Sequence, residues 1–363
     1  MATSQPAQKD STIFFSCGDH LFTARDAIDA AWFRGELEAH WFELLRLEAA
    51  QEHAAEKELE IADGALESAS EAFRYEHDLI TAEETEAWLE RRGLTLREFS
   101  EFFARQHWGA ELEGKVEAVP VDYVEASAEM RDLLVTQLTL AGELDWMATQ
   151  MSWRVAANAS LAETPVPAES IESERKKFLE RAALNSETLP KSLDGLGRDE
   201  HWLNEMAQME AAYHQQRDAA LTPAARAREL ADLRLPLTKF DVEVIELESL
   251  DAAREAYLCV HDDEMTLEDV AAESHYPYRR MTALLEDIAA HQQQKFLSAA
   301  AGSLLDPIER GEGYQLCRLL AKMEPDVEDP TVRDRADGRI LDRHFGELSA
   351  RHLHWRIIIG ESE

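Results

Sequence analysis

The sequence predicts a mainly α-helical protein carrying one small α+β domain. Three observations lead there: apolar residues at helical spacing through the first two thirds, a change to period-two alternation after Pro236, and short apolar strands near the two chain ends. At 363 residues the chain is long for one core and suits two or three domains. Its punctuation divides it into an N-terminal hairpin and helical domain over 1–115, a second helical region over 116–235, the α+β domain over 236–328, and a returning helix and strand over 329–363.

From Ala24 to Leu59 the positions Ile28, Trp32, Leu37, Trp41, Leu44, Leu45 and Leu47 recur at three and four, predicting one long amphipathic helix, straight or kinked. Thr23 with Asp26, Thr81 with Glu84 and Thr95 with Glu98 have the spacing of capping boxes, which start helices by satisfying backbone donors reciprocally. The segment 81–102 is echoed by 185–206, with Leu89, Gly93, Phe99 and Phe102 matching Leu193, Gly197, Leu203 and Met206, as a duplicated helical unit would. AETPVPAES, 162–170, is the linker within this part. Thr222 as N-cap and Pro223 as first helical residue open a last helix there.

After Pro236 the pattern changes. KFDVEVIELES, 239–249, alternates apolar and acidic residues as a half-buried strand does. Two helices follow, the second with a capping box at Thr266 and Asp269, and a third is expected from about Met281 to Ala300. GEGYQLCRLLAK closes the domain as a strand. At the chain ends STIFFSCGDHLFT reads as a hairpin turning at Gly18-Asp19, and HWRIIIG, 354–360, as a strand. An isolated hairpin is marginal in water, so the two ends are expected to pair.

Composition excludes several functions. With 45% hydrophobic and 30% charged residues the chain is a folded, soluble one. Lys plus Arg number 37 against 73 Asp plus Glu, and a formal charge of −36 repels phosphate backbones, so nucleic acid is not an expected partner. The same field attracts basic peptides. No basic segment followed by an apolar run opens the chain, which predicts a cytoplasmic protein, and no run long enough for a membrane span occurs. Cys17, Cys259 and Cys317 are too scattered for a disulfide framework or a metal site, and each is expected to be a small buried apolar residue. None of the 13 histidines follows a glutamate by three, and no HExxH, P-loop, GxGxxG or GxSxG is present, so no metal and no cofactor is expected.

Residues 239–325 resemble a parvulin-type peptidyl-prolyl isomerase domain. The resemblance lies in the opening strand, Ala252, Ala253 and Ala256 in the first helix, Val270, Ala271 and Ser274 in the second, Phe296 before AAAGSLLDPI, and GEGYQL as the family's closing Gly-Tyr-His strand. The pairing chain ends and returning helix are similar to SurA-like chaperones, in which a helical domain receives the C-terminal segment and parvulin modules lie between. The resemblance extends to the parvulin-related proteins suspected of serving peptide maturation systems.

What the resemblance implies for the site departs from the family pattern. The family's polar cluster has a histidine on the first strand and one on the last. Here the first strand holds none and Gln315 stands in the last, donating and accepting hydrogen bonds without a charge change near neutral pH. Gln315, Cys317 and His275 are the catalytic candidates; Phe296, Tyr314 and Met281 are the substrate-binding ones. YPYRRMTALLEDIAAHQQQ replaces the family's Gly-rich stretch and is expected to lay a helix over part of the pocket. The tryptophans of the helical part, Trp32 to Trp202, fit either core or a peptide cradle. The function expected is chaperone-like binding of an extended polypeptide, a precursor peptide or client enzyme, through a helical cradle and a degenerate parvulin domain. An active isomerase and a non-catalytic scaffold in a biosynthetic complex are the alternatives, and the oligomeric state is left open.

Overall fold

The computed structural model describes residues 9–161, 165–263, 265–311 and 313–356. The chain divides into two units, residues 1–217 with 344–363, and residues 218–343. The first unit opens with the hairpin β1 Ile13–Cys17 and β2 His20–Thr23. Helices α1 Ala24–Arg34, α2 Glu38–Glu56, α3 Ala65–Glu76, α4 Ala82–Arg91 and α5 Leu96–Glu111 follow. After a loop come α6 Ala128–Leu140, α7 Glu143–Ser160, α8 Ala168–Arg181, α9 Leu189–Leu196 and α10 Glu200–Ala220. The second unit holds α11 Pro223–Asp232, β3 Lys239–Leu247, α12 Leu250–His261, α13 Leu267–Ser274, β4 Tyr278–Leu284, α14 Ala290–Ser298, β5 Ile308–Arg310 and β6 Gly313–Met323. Helix α15 Pro330–His352 and strand β7 His354–Trp355 complete the described chain, and from His344 onward they belong to the first unit. The fold class is the expected one: mainly helix, with a small α+β part.

The chain ends pair as expected. β1 lies between β2 and β7, with Phe15 opposite Trp355 and Ser16 opposite His354, both pairings antiparallel. Arg356 N–H donates to the Phe14 carbonyl at 2.8 Å. Phe15, 1% exposed, packs its ring 5.0 Å from Phe22 and 4.9 Å from Trp355. One buried side chain thus ties all three strands. The isoleucines 357–359, read as part of this strand, lie outside the described residues.

The capping boxes at Thr23, Thr81, Thr95 and Thr266 all form, each threonine accepting from the N3 backbone while the N3 carboxylate accepts from the cap N–H. The long helix expected from Ala24 to Leu59 is instead two, α1 and α2. Gly35 breaks it in the left-handed conformation, φ 77°, and a Cβ there would lie 2.5 Å from Cδ of Arg181. The echoed segments share local geometry: α4 and α5 join through Gly93 at φ 68°, α9 and α10 through Gly197 at φ 66°, and the matched Leu89/Leu193, Phe99/Leu203 and Phe102/Met206 are all buried.

Aromatic clusters stand among the buried leucines, alanines and methionines of the first unit's core. Phe73, Trp88, Phe99, Phe102 and Phe103 form one cluster, and Phe33 stacks on Phe178 at 4.9 Å in another. Phe345 of α15, fully buried, stacks between Trp153 and Tyr213. Charge is also buried there. Arg154 Nε donates to Glu210 Oε2 at 2.6 Å, with both side chains about a tenth exposed. Burial pushes the Glu210 carboxyl up, but Arg154, Arg34 and His214 together outweigh it and hold the group below its ordinary range.

Two outcomes follow from these contacts. Phe15→Ala empties the centre of the three-stranded sheet and should cost about 3–5 kcal/mol in denaturant unfolding. Arg154→Met strands the Glu210 carboxylate and should cost a similar ~3–5 kcal/mol at neutral pH. Because the folded carboxyl titrates below its unfolded value, the pair's contribution is present above the unfolded value of about 4.3 and disappears as pH falls through the folded one. Glu210→Gln should therefore flatten the acid limb of the stability curve.

Candidate functional site

The second unit is organised on a four-stranded antiparallel sheet of order β4-β3-β6-β5. Alternation gives it two faces. Ile245, Leu247 and Leu316 point to the face covered by Ala253, Ala256 and Val260 of α12 and Leu267, Val270 and Ala271 of α13. Val242, Val244 and Glu246 share the other face with their register partners Leu319, Cys317 and Gln315. That face is covered by Phe296 of α14 and by Leu285, Leu305 and Ile308. This keeps the order that the parvulin resemblance implies: opening strand, two helices, closing strand, with Phe296 beneath.

One expectation fails. The segment 281–300 is not a continuous helix over the pocket: β4 pairs with β3 from Tyr278 to Leu284, and helix resumes only at Ala290. Arg, Met, Ala and Leu favour helix in isolation, but the free edge of β3 supplies a ladder of backbone bonds that overrides such propensity. The strand keeps its arginines, Arg279 and Arg280, exposed at the sheet edge, a common way of blunting such an edge.

At the Gln315 end of the sheet lies a cleft of about 570 Å³, lined by Glu246, Glu248, His275, Arg310, Tyr314 and Gln315 among others. Gln315 is 7% exposed, and its Nε2 donates to Glu246 Oε1 at 3.3 Å. The same carboxylate oxygen accepts from Arg279. A carboxamide, a carboxylate and a guanidinium therefore meet at this end of the sheet. Gly313 is required at the strand's start, since a Cβ there would lie 2.7 Å from the Leu247 carbonyl. His275 caps α13 in the left-handed conformation, φ 59°, with Tyr276 N–H donating to the Ala271 carbonyl. It is exposed on the cleft's rim.

The sequence-derived candidates fall into two groups. Gln315, Tyr314 and His275 line this one cleft. Cys317, Phe296 and Met281 do not line it. Cys317 is 3% exposed within the apolar cluster, and burial pushes its thiol up to about 12, against a weaker opposing pull from Arg310. Phe296 is 5% exposed and meets Phe240 edge-on at 5.6 Å, as core. Met281 lies on the edge strand opposite Val242, 37% exposed. Tyr314, half-buried, also packs against the α12–α13 face. Burial of the other cysteines is less than expected: Cys17 and Cys259 are half-buried. Glu246, Arg279 and Arg310 were not among the candidates. The available signal was Glu246, an acid in phase with Val242 and Val244 on the apolar side of β3.

The geometry makes Cys317 structural. In the native chain, iodoacetamide at mildly alkaline pH should modify Cys259 and leave Cys317 untouched until denaturant is added, as peptide mapping would read. Phe296→Ala should destabilise the chain by about 3–5 kcal/mol, an effect that a rim residue would not show.

No family model and no curated protein sequence matches this chain. Among solved structures it is similar to the peptidylprolyl isomerase PrsA from Bacillus cereus, at 12% identity and a TM-score of 0.37, over 60% of this chain and 85% of that one. It is similar also to the foldase protein PrsA from Streptococcus pneumoniae, at 10% identity and 0.26, over 65% and 95%. A structure from a pair of SurA-like chaperones of Campylobacter jejuni aligns at 9% identity and 0.20, over 66% and 96%. These superpositions are loose, and the order of elements in the second unit is read from its own strand register and helix placement.

Proposed function

We propose that this protein binds extended segments of unfolded polypeptide and assists the maturation of a precursor peptide or client enzyme, without catalysing X-Pro exchange. One observation carries the reading: the cleft of a parvulin-like sheet is retained, while its buried centre is Gln315 clamped to Glu246. A carboxamide offers a donor and an acceptor to a peptide backbone. It does not supply the proton-switching pair that the family's histidines provide. The buried thiol two residues on is held protonated by its surroundings and lies outside the cleft.

A second reading has its own observation in support. His275 lines the same cleft and is exposed, so an isomerase working through that imidazole is consistent with the geometry. Such an activity should vanish in His275→Gln.

The binding reading is checked with a reduced and carboxymethylated protein that cannot fold. The chain should bind it measurably by calorimetry, ignore its folded disulfide-bonded form, and delay aggregation of a heat-denatured client. Gln315→Leu, which removes the donor and acceptor, should weaken binding about threefold to tenfold, on the scale of one hydrogen bond. Equal affinity for folded and unfolded forms, or no binding of either, would sink the proposal.

A further inference from the structure

The first unit contains a groove that the parvulin-like cleft does not explain. It is a space of about 380 Å³, within the range of small-ligand pockets, walled by Trp32, Leu37, Trp41 and Phe42 of the α1–α2 junction, the loop 113–127 and the residues following α8. Gly35 opens it by breaking the helix between α1 and α2, and Arg181 lies across that glycine and donates to the Phe33 carbonyl. The loop wall is fixed. Trp41 Nε1 donates to the Val121 carbonyl at 2.6 Å, the Trp41 and Tyr123 rings meet edge-on at 5.6 Å, and the Tyr123 hydroxyl donates to buried Asp29 at 3.2 Å. The groove is therefore preformed.

Its floor and lip differ in character. Trp41 and Leu37 are buried, whereas Phe42 is 49% exposed, Val121 42% and Val119, on the same loop, 77%. Clustered exposed apolar residues beside a cavity mark an interaction surface rather than a folding requirement. Charge selects the occupant. Glu38 and Asp122 line the groove, and the loop 113–127 carries Glu113, Glu117 and Asp122 against Lys115, its Glu125 being paired with Lys191 at 2.8 Å. Among the described residues Arg181 is the one base in the lining, and its guanidinium already serves a backbone carbonyl. At a formal charge of −36, a second copy of the chain is repelled from this rim, as is any anionic ligand.

We propose that this groove takes an aromatic or branched aliphatic side chain of an extended polypeptide segment flanked by lysine or arginine. The inference rests on the polypeptide-binding reading above and adds to it the class of segment recognised and the place where it is held. Rim carboxylates steer the flanking cations, and the apolar floor holds the anchor. Such steering makes binding weaken with salt.

The test uses the full chain and a fluorescein-labelled peptide with a central Phe-Leu-Phe between lysine pairs, followed by fluorescence anisotropy. Binding should be about tenfold weaker in Phe42→Ser, and about tenfold weaker for a twin peptide with glutamates in place of the lysines. Leu258→Ser, at a 53% exposed site of α12, should leave affinity unchanged. Because Phe42 is half exposed, the variant's unfolding midpoint should match wild type, which separates loss of contact from loss of fold. If Phe42→Ser binds as wild type does, the groove is not the site. Equal affinity for the glutamate twin overturns the charge selection. Concentration-dependent light scattering that Phe42→Ser abolishes would show a second copy in the groove and overturn the proposed occupant. If the carboxymethylated protein binds and the lysine peptide does not, this inference alone fails; if neither binds, the polypeptide-binding reading fails with it.

Discussion

The antiparallel pairing of β3 with β6 is the constraint on which the second unit depends. All nine residues of β3, Lys239 to Leu247, find partners on β6, from Met323 to Tyr314. The ladder fixes which side chains face which way, and a slip of one residue would send Val242, Val244 and Cys317 to the wrong face. Phe240, Ile245, Leu316 and Leu319 are fully buried on the two faces, each worth about 1.5–3 kcal/mol of burial. Gly313 ends the ladder against the Leu247 carbonyl, where a side chain has no room. Glu246, Tyr314 and Gln315, which line the cleft, are positioned by that ladder.

The same register sets which groups meet at the site. Opposite Gln315 stands Glu246, and opposite Cys317 stands Val244. The ladder thus supplies a neutral carboxamide clamped to a carboxylate, followed by a thiol in an apolar pair. An imidazole at the Gln315 position would sit beside Glu246 and be drawn toward its charged form. With glutamine the contact is a hydrogen bond that changes little across physiological pH.

Much of this was legible in the residues. Period-two alternation located β3, GEGYQL located β6, and threonine with an acid three residues on marked four helix starts, because these signals are local and each has one physical cause. The apolar ends predicted their pairing, because a short hairpin cannot bury its own face. What was not legible depended on distant partners. Tyr278–Leu284 has helix-forming composition and became a strand only because β3 had a free edge to offer. The break at Gly35 is reinforced by Arg181, about 146 residues away in sequence. In the site, Gln315, Tyr314 and His275 converge while Cys317 and Phe296 are sealed in core. Sequence spacing alone does not distinguish a strand residue at the open end of a sheet from one two positions further in, beneath a helix.

The first unit adds a different surface, aromatic in its floor and acidic at its rim, on helices held together by buried aromatic rings and paired charges. It requires nothing of the cleft's chemistry, so the central claim, binding without catalysis at Gln315, is tested within the second unit. The most direct measurement is exchange NMR on an Ala-Pro peptide in the presence of the full chain. The account predicts shift changes at Tyr314 and Gln315 on binding, with cis–trans exchange still taking tens of seconds or longer. Exchange accelerated to milliseconds by the wild-type chain would contradict it.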